Sequence, residues 1–256
     1  MRSLIAFAKK EMIEQVRTGK LLILTVIFIM FGVMNPAVAK LTPWLMELMA
    51  ESLEQNGMII TAVEITALDS WVQFFKNMPM ALLAFVLIES SILTKEYQTG
   101  TLILTLAKGF ERYKVVAVKS TVLLFIWSAL YWGGFTVTYL YNAFYWDNSV
   151  AQNIGTSVFC LWLFGVLILF LNIMFSTVFS SNASVLLSTG GIVAVSFFVS
   201  MIPRAGKLLP TKLLDGNSLI YGTVAFSEYI PAAIIATVVL ILSFVVSVFV
   251  FNKKQI

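Results

Sequence analysis

Residues 95–119 gather a dense group of side chains that could do chemistry. Seven of these 25 residues are charged: Lys95, Glu96, Lys108, Glu111, Arg112, Lys114 and Lys119. Carboxylates and cations at this density can pair with one another, bind phosphate or meet a charged partner. Nucleophilic and metal chemistry find little support elsewhere. The chain has no histidine and one cysteine, Cys160, so it lacks the usual ligands of a zinc site and cannot build a Ser-His-Asp site. Two Gly-Lys pairs, Gly19-Lys20 and Gly206-Lys207, are each followed by leucine. Five residues before each glycine stand Glu14 and Met201, so neither pair completes a phosphate-binding loop. We expect no catalytic site, no metal and no cofactor.

The elements that position this stretch are membrane spans. The 256 residues are 59% hydrophobic and only 12% charged, where a soluble domain has about a quarter of its residues charged. Uncharged runs approach or exceed the ~18 residues that cross a bilayer. A net charge of +4 is too small to point to nucleic acid, and a single cysteine gives no disulfide framework. The first apolar run starts at Leu21 and lacks a small-residue cleavage site, so it reads as a permanent span rather than a signal peptide.

Residues 1–18 read as an amphipathic helix. Met1, Leu4, Ile5, Ala8, Met12 and Val16 share a stripe at ~100° per residue, and Arg2, Lys9, Lys10 and Arg17 group away from it. That pattern suits a helix lying on anionic lipid, with a solvated leader helix as the alternative. Six spans follow, at about 21–38, 71–93, 115–141, 154–179, 183–202 and 229–251. Asn35-Pro36 is expected to kink or end the first. An acidic connector over residues 40–70 should hold a short helix capped by Thr42, a turn at Asn56-Gly57 and a Thr61-x-x-Glu64 capping box. Residues 203–228, with Pro203, Arg204, Lys207, Pro210, Asp215 and Gly216, read as short helices at or dipping into the interface.

Six spans put both termini on one side. The N-terminal segment, the 94–119 loop and the tail hold 12 of the 17 Lys and Arg residues, which places them in the cytoplasm and the acidic connector outside. Glu89 is the one ionisable residue well inside a span, one to two turns from the cytoplasmic end. It is either a coupling carboxylate or, the reading taken here, one that reaches the interface and pairs with a nearby Lys or Arg. Cys160 and Asn172 read as helix-packing positions. We find no domain boundary and no internal repeat, so residues 1–256 form a single transmembrane domain.

The order Glu96-x-x-x-Gly100-Thr101, an apolar helix at 102–107, a turn at Gly109, Arg112 and then Lys119 opening the third span resembles the type-2 ABC transporter permeases. Gly109 stands where proline is common, and Glu111 where a small polar residue is usual. The leading helix with Lys9-Lys10-Glu11, the 203–228 segment and the ending Phe251-Asn252-Lys253-Lys254-Gln255-Ile256 are also similar to that family. The resemblance implies an all-α membrane protein with an N-terminal interfacial helix, six spans, a cytoplasmic coupling helix between spans two and three and an extracellular helical hairpin before span six. It implies a bacterial cell-membrane exporter subunit that pairs with a second permease, a cytoplasmic ABC ATPase subunit and membrane lipid. Glu96 would hold the coupling loop in place, Gly100 would allow its tight turn and Thr101 would cap the helix. Arg112 and Lys114 would meet the ATPase or lipid phosphates. The alternative is an accessory or immunity protein that binds a peptide or lipid without moving it. A passive channel would need a polar stripe through several spans, and none is seen.

Overall fold

The computed structural model describes residues 2–54, 64–107 and 109–254, and these are helices joined by short turns. Helix α1 (Arg2–Arg17) leads through Gly19, which adopts φ +73°, into α2 (Lys20–Glu54). Then come α3 (Ala67–Glu89), the short α4 (Thr94–Thr99) and α5 (Thr101–Ala107), and α6 (Arg112–Tyr145). The second half holds α7 (Ile154–Val178), α8 (Asn182–Ser200), α9 (Pro203–Gly206), α10 (Gly216–Ile220) and α11 (Ile230–Lys253). Six of these helices, α2, α3, α6, α7, α8 and α11, are long and apolar enough to cross a membrane.

The first span departs most from expectation. It runs unbroken through Pro36 and Pro43, where a proline break and a separate helix capped by Thr42 were expected. Pro36 has no N–H to give the carbonyl of Gly32, one turn earlier. Thr138 of α6 supplies the missing donor: its hydroxyl donates to Gly32 O at 2.9 Å. Thr42 lies within the helix and donates to the Val38 carbonyl at 2.9 Å instead of capping. A small polar node surrounds Pro36. Asn77 Nδ2 donates to Asn35 Oδ1 at 2.9 Å, and Asn35 Nδ2 donates to Thr138 Oγ1 at 3.4 Å. Three spans are thereby joined in the apolar interior. The Asn56-Gly57 turn and Thr61 lie outside the described residues. Helix α3 is instead capped by Thr66, whose N–H donates to Asp69 Oδ2 at 2.9 Å.

Helix α1 is rolled relative to its expected stripe. Phe7, Glu11 and Gln15 are buried, while Ile5 and Val16 stay exposed. Two polar residues displace apolar ones from the inner face because buried partners await them.

The core lies where α3, α6 and α7 meet. Trp71, Phe74, Phe85, Trp127 and Tyr131 are fully buried there, and the Trp127 ring lies 5.2 Å from Tyr131 and 5.6 Å from Phe85. The Tyr131 hydroxyl donates to Val158 O at 2.7 Å, which fastens α6 to α7. Trp127 fits only because position 165 is glycine: a Cβ there would lie 2.1 Å from its ring. Residues 203–228 form short helices that bury Leu213, Leu219 and Ile220, and the Tyr229 hydroxyl donates to Asp215 O at 2.8 Å. Gly165→Ala should therefore cost about 1–3 kcal/mol of stability through overpacking. Thermal unfolding in detergent tests this, and a wild-type midpoint would refute the fit described.

Candidate functional site

One end of the bundle collects charges from five helices. Helix α1 places Glu11 and Gln15 one turn apart on its buried face, with Lys10 and Glu14 at the rim. Glu96 comes from α4, Lys119 from the third turn of α6, Lys20 from the start of α2 and Glu89 from the last residue of α3.

Four of them close a ring of alternating sign. Lys119 Nζ donates to Glu11 Oε2 at 2.7 Å and lies 3.2 Å from Glu96 Oε1. Lys10 Nζ completes the circuit, 3.0 Å from Glu11 Oε1 and 3.3 Å from Glu96 Oε1. Lys119 is 2% exposed, Glu11 5% and Glu96 7%, so these ions have lost most of their water. An ion this buried is tolerated only when paired, and losing one partner leaves the rest uncompensated. Burial alone would raise the Glu11 carboxyl, but Lys119 and then Lys10 outweigh it and hold it below the usual range. Burial would lower Lys10, yet Glu11, Glu96 and Glu14 together raise it.

A second knot sits beside the ring. Glu89 is fully buried, accepts from Gln15 Nε2 at 2.8 Å and lies 3.5 Å from Lys20 Nζ, which also donates to Ser91 at 3.3 Å. Glu89 thus pairs with a nearby lysine, but inside the protein rather than at an open interface. Carboxylate oxygens of Glu11, Glu14 and Glu96 come within 4.8 Å of one another. Both Glu11 oxygens and Glu96 Oε1 already face lysine, so the arrangement is an ion-pair network rather than a metal cage.

The remaining expected residues line the same end. Gly100 (φ +68°) and Gly109 (φ +77°) turn the chain on either side of α5 in the left-handed region that favours glycine. Thr101 is the first residue of α5, its hydroxyl 3.0 Å from that of Thr99. Phe110 packs on Phe7 of α1 at 4.9 Å. Lys114 pairs locally with Glu111. Arg112 turns inward: its Nη1 donates to the carbonyls of Phe251 at 3.3 Å, Asn252 at 3.4 Å and Lys254. Lys254 in turn donates to the carbonyls of Thr177 at 2.9 Å and Val178 at 3.3 Å, and lies 4.0 Å over the Tyr97 ring. Burial lowers the Lys254 ammonium. These two cations satisfy the orphan carbonyls that end α11 and α7.

Helix α4 is thus held from both sides, Glu96 by α1 and α6 and Tyr97 by the tail. This places the Glu-x-x-x-Gly-Thr stretch on short helices between the second and third spans, as the resemblance implied. Comparison with protein-family models matches residues 5–256 to the ABC-2 family transporter proteins. The chain belongs to that family. Searches of curated proteins and of solved structures returned no match. ABC-2 permeases are membrane components of ABC transporters rather than their ATPases, and membership implies a partnership with an ATPase subunit.

Sequence reasoning missed Lys10, Glu11, Gln15 and Lys20, and took Lys119 only as an anchor at the start of a span. A signal existed for Lys119. It is flanked by Val115, Val116, Val118 and Leu123 on the buried face of an apolar helix, where a lysine needs a carboxylate. Nothing in the sequence names which carboxylate.

Two outcomes are expected of this permease. Lys119→Met should destabilise it by about 3–5 kcal/mol, and adding Glu11→Gln and Glu96→Gln should recover part of that loss. Thermal unfolding of the purified protein measures both, and an unchanged midpoint would refute the ring. The second concerns pH. Because the folded Glu11 carboxyl lies below its unfolded value of about 4.3, its stabilisation is complete above that value. It is lost as pH falls through the lower folded value. The unfolding temperature should drop steeply below about pH 4 in the wild type and more gently in Glu11→Gln; parallel curves would contradict this.

Proposed function

We propose that this protein is the transmembrane permease subunit of a bacterial ABC exporter, moving substrate outward with ATP hydrolysed by a separate cytoplasmic subunit. One observation carries the reading. The loop between the second and third spans is bound through Glu96 to Lys119 of α6 and, with Lys10, to α1. A push on α4 and α5 from an ATPase therefore reaches α1 and the third span together, and through Glu89, Gln15 and Lys20 the second and first spans.

The count of basic residues supports a cytoplasmic position for this end and both termini. The absence of an ATP-binding motif in the sequence supports an energy source on another chain. In this reading Gly100 and Gly109 set the angle of α5, the half-buried Lys114 faces the ATPase or lipid phosphate, and Arg112 keeps the α6 and α11 ends together. The permease works beside a second permease, identical or related, in the cell membrane, and its cargo is a peptide, an antibiotic or a lipid.

Co-purification from native membranes should recover an ABC ATPase subunit. Glu96→Gln leaves Lys119 and Lys10 still paired with Glu11, so it should retain expression and ATPase association while lowering ATP-driven transport in vesicles about tenfold. Wild-type transport by that variant would remove Glu96 from the coupling path. Substrate binding without ATP-driven movement by the wild type would favour the non-transporting accessory reading.

A further inference from the structure

From the charged end towards the other end of the bundle, α8 is mostly exposed. Only Val185 and Thr189 of this helix are buried. The wedge between α8 and the α3–α7 pair is a groove of about 550 Å³, walled by Leu82, Val86, Phe164, Ile168, Val193 and Phe197 among others. Its lining is apolar apart from Thr189, whose hydroxyl spends its one proton on the Val185 carbonyl at 2.9 Å. Such a lining suits a hydrocarbon occupant.

Phe197 also lines a second cavity, of about 320 Å³, under the hairpin formed by residues 203–228. The character changes there. Lys207 faces Glu228 at 3.3 Å, and Lys212 faces Asp215 at 2.6 Å. An apolar slot within the membrane-spanning part thus meets two cations and two carboxylates at its mouth. A simple anion entering that mouth would face both acids, and a simple cation both lysines. A zwitterion can exchange partners with a pair and leave no charge uncompensated.

We propose that the groove and the charged cavity form one bipartite site for a zwitterionic phospholipid, phosphatidylethanolamine. Its acyl chain lies between α3, α7 and α8. Its phosphate takes Lys207 and its ammonium takes Glu228, the more exposed of the two ion pairs. A primary ammonium keeps N–H donors for a carboxylate, which a choline head lacks. The site does not depend on ATP-driven export, so it stands or falls separately from the transport reading.

The test uses the full chain in nanodiscs containing a trace of phosphatidylethanolamine with a diazirine in its acyl chain. After irradiation, labelled peptides are mapped by mass spectrometry. Label should concentrate on the groove-lining parts of α3, α7 and α8, and unlabelled phosphatidylethanolamine should compete while phosphatidylcholine and phosphatidylglycerol do not. Lys207→Ala with Glu228→Ala, on an exposed pair, should lower labelling about tenfold without moving the unfolding temperature. Val193→Trp should block it by filling the groove. Equal competition by all three lipids, label spread evenly over the exposed faces of α2 and α11, or labelling unaffected by the double variant would each overturn the proposal. So would disulfide dimers of Val193→Cys in native membranes without groove labelling.

Discussion

A lysine ammonium in the third turn of an apolar helix has to be neutralised, and Lys119 meets two carboxylates from two other helices. Glu11 arrives from the N-terminal helix and Glu96 from the short helix after the second span. Neither carboxylate is close to Lys119 in sequence, so the pairing fixes the tertiary arrangement of this end of the bundle. It sets the roll of α1, which turns Glu11 and Gln15 inward and leaves Ile5 and Val16 exposed. It also sets the position of α4, whose other face rests on the C-terminal tail. Buried ion pairs contribute little net stability compared with apolar packing. Their value in this permease is geometric: the cluster tolerates only one docking of α1 against α4 and α6.

The helix ends around the ring follow the same electrostatics. Arg112 and Lys254 occupy the C-terminal carbonyls of α11 and α7, where cations oppose the negative end of each helix dipole. A tail that reads as a short basic extension in the sequence is therefore part of the folded structure. The other end of the bundle is built differently. There residues 203–228 are tied by Asp215 and Tyr229 rather than by a closed charge ring.

Much of the architecture was legible because membrane spans are written in composition. Six apolar runs of sufficient length, and the polar loop after the second, follow from hydropathy and charge alone. Contacts that cross the chain were not legible. Pro36 reads locally as a helix break, and only Thr138, supplying a donor to Gly32, lets the helix continue. Arg112 reads locally as a surface cation because the carbonyls it serves lie at the far end of the sequence. Glu89 reads locally as a carboxylate reaching the interface, whereas its burial and its pairing with Lys20 depend on how α1 packs. The turns at Gly100 and Gly109 came from the resemblance, and both glycines have positive φ.

The central claim is that α1, α4 and the start of α6 move as one body because Lys119 binds Glu11 and Glu96. Its most direct test is the distance between spin labels on the exposed Lys9 of α1 and the exposed Gln98 of α4, measured by pulsed electron resonance. The permease would be compared alone and with its ATPase subunit trapped in the ATP-bound state. The account predicts a single narrow distribution that is the same in both states and broadens in Lys119→Met. A shift of more than a few ångströms on ATP binding, or a broad distribution in the wild type, would contradict it.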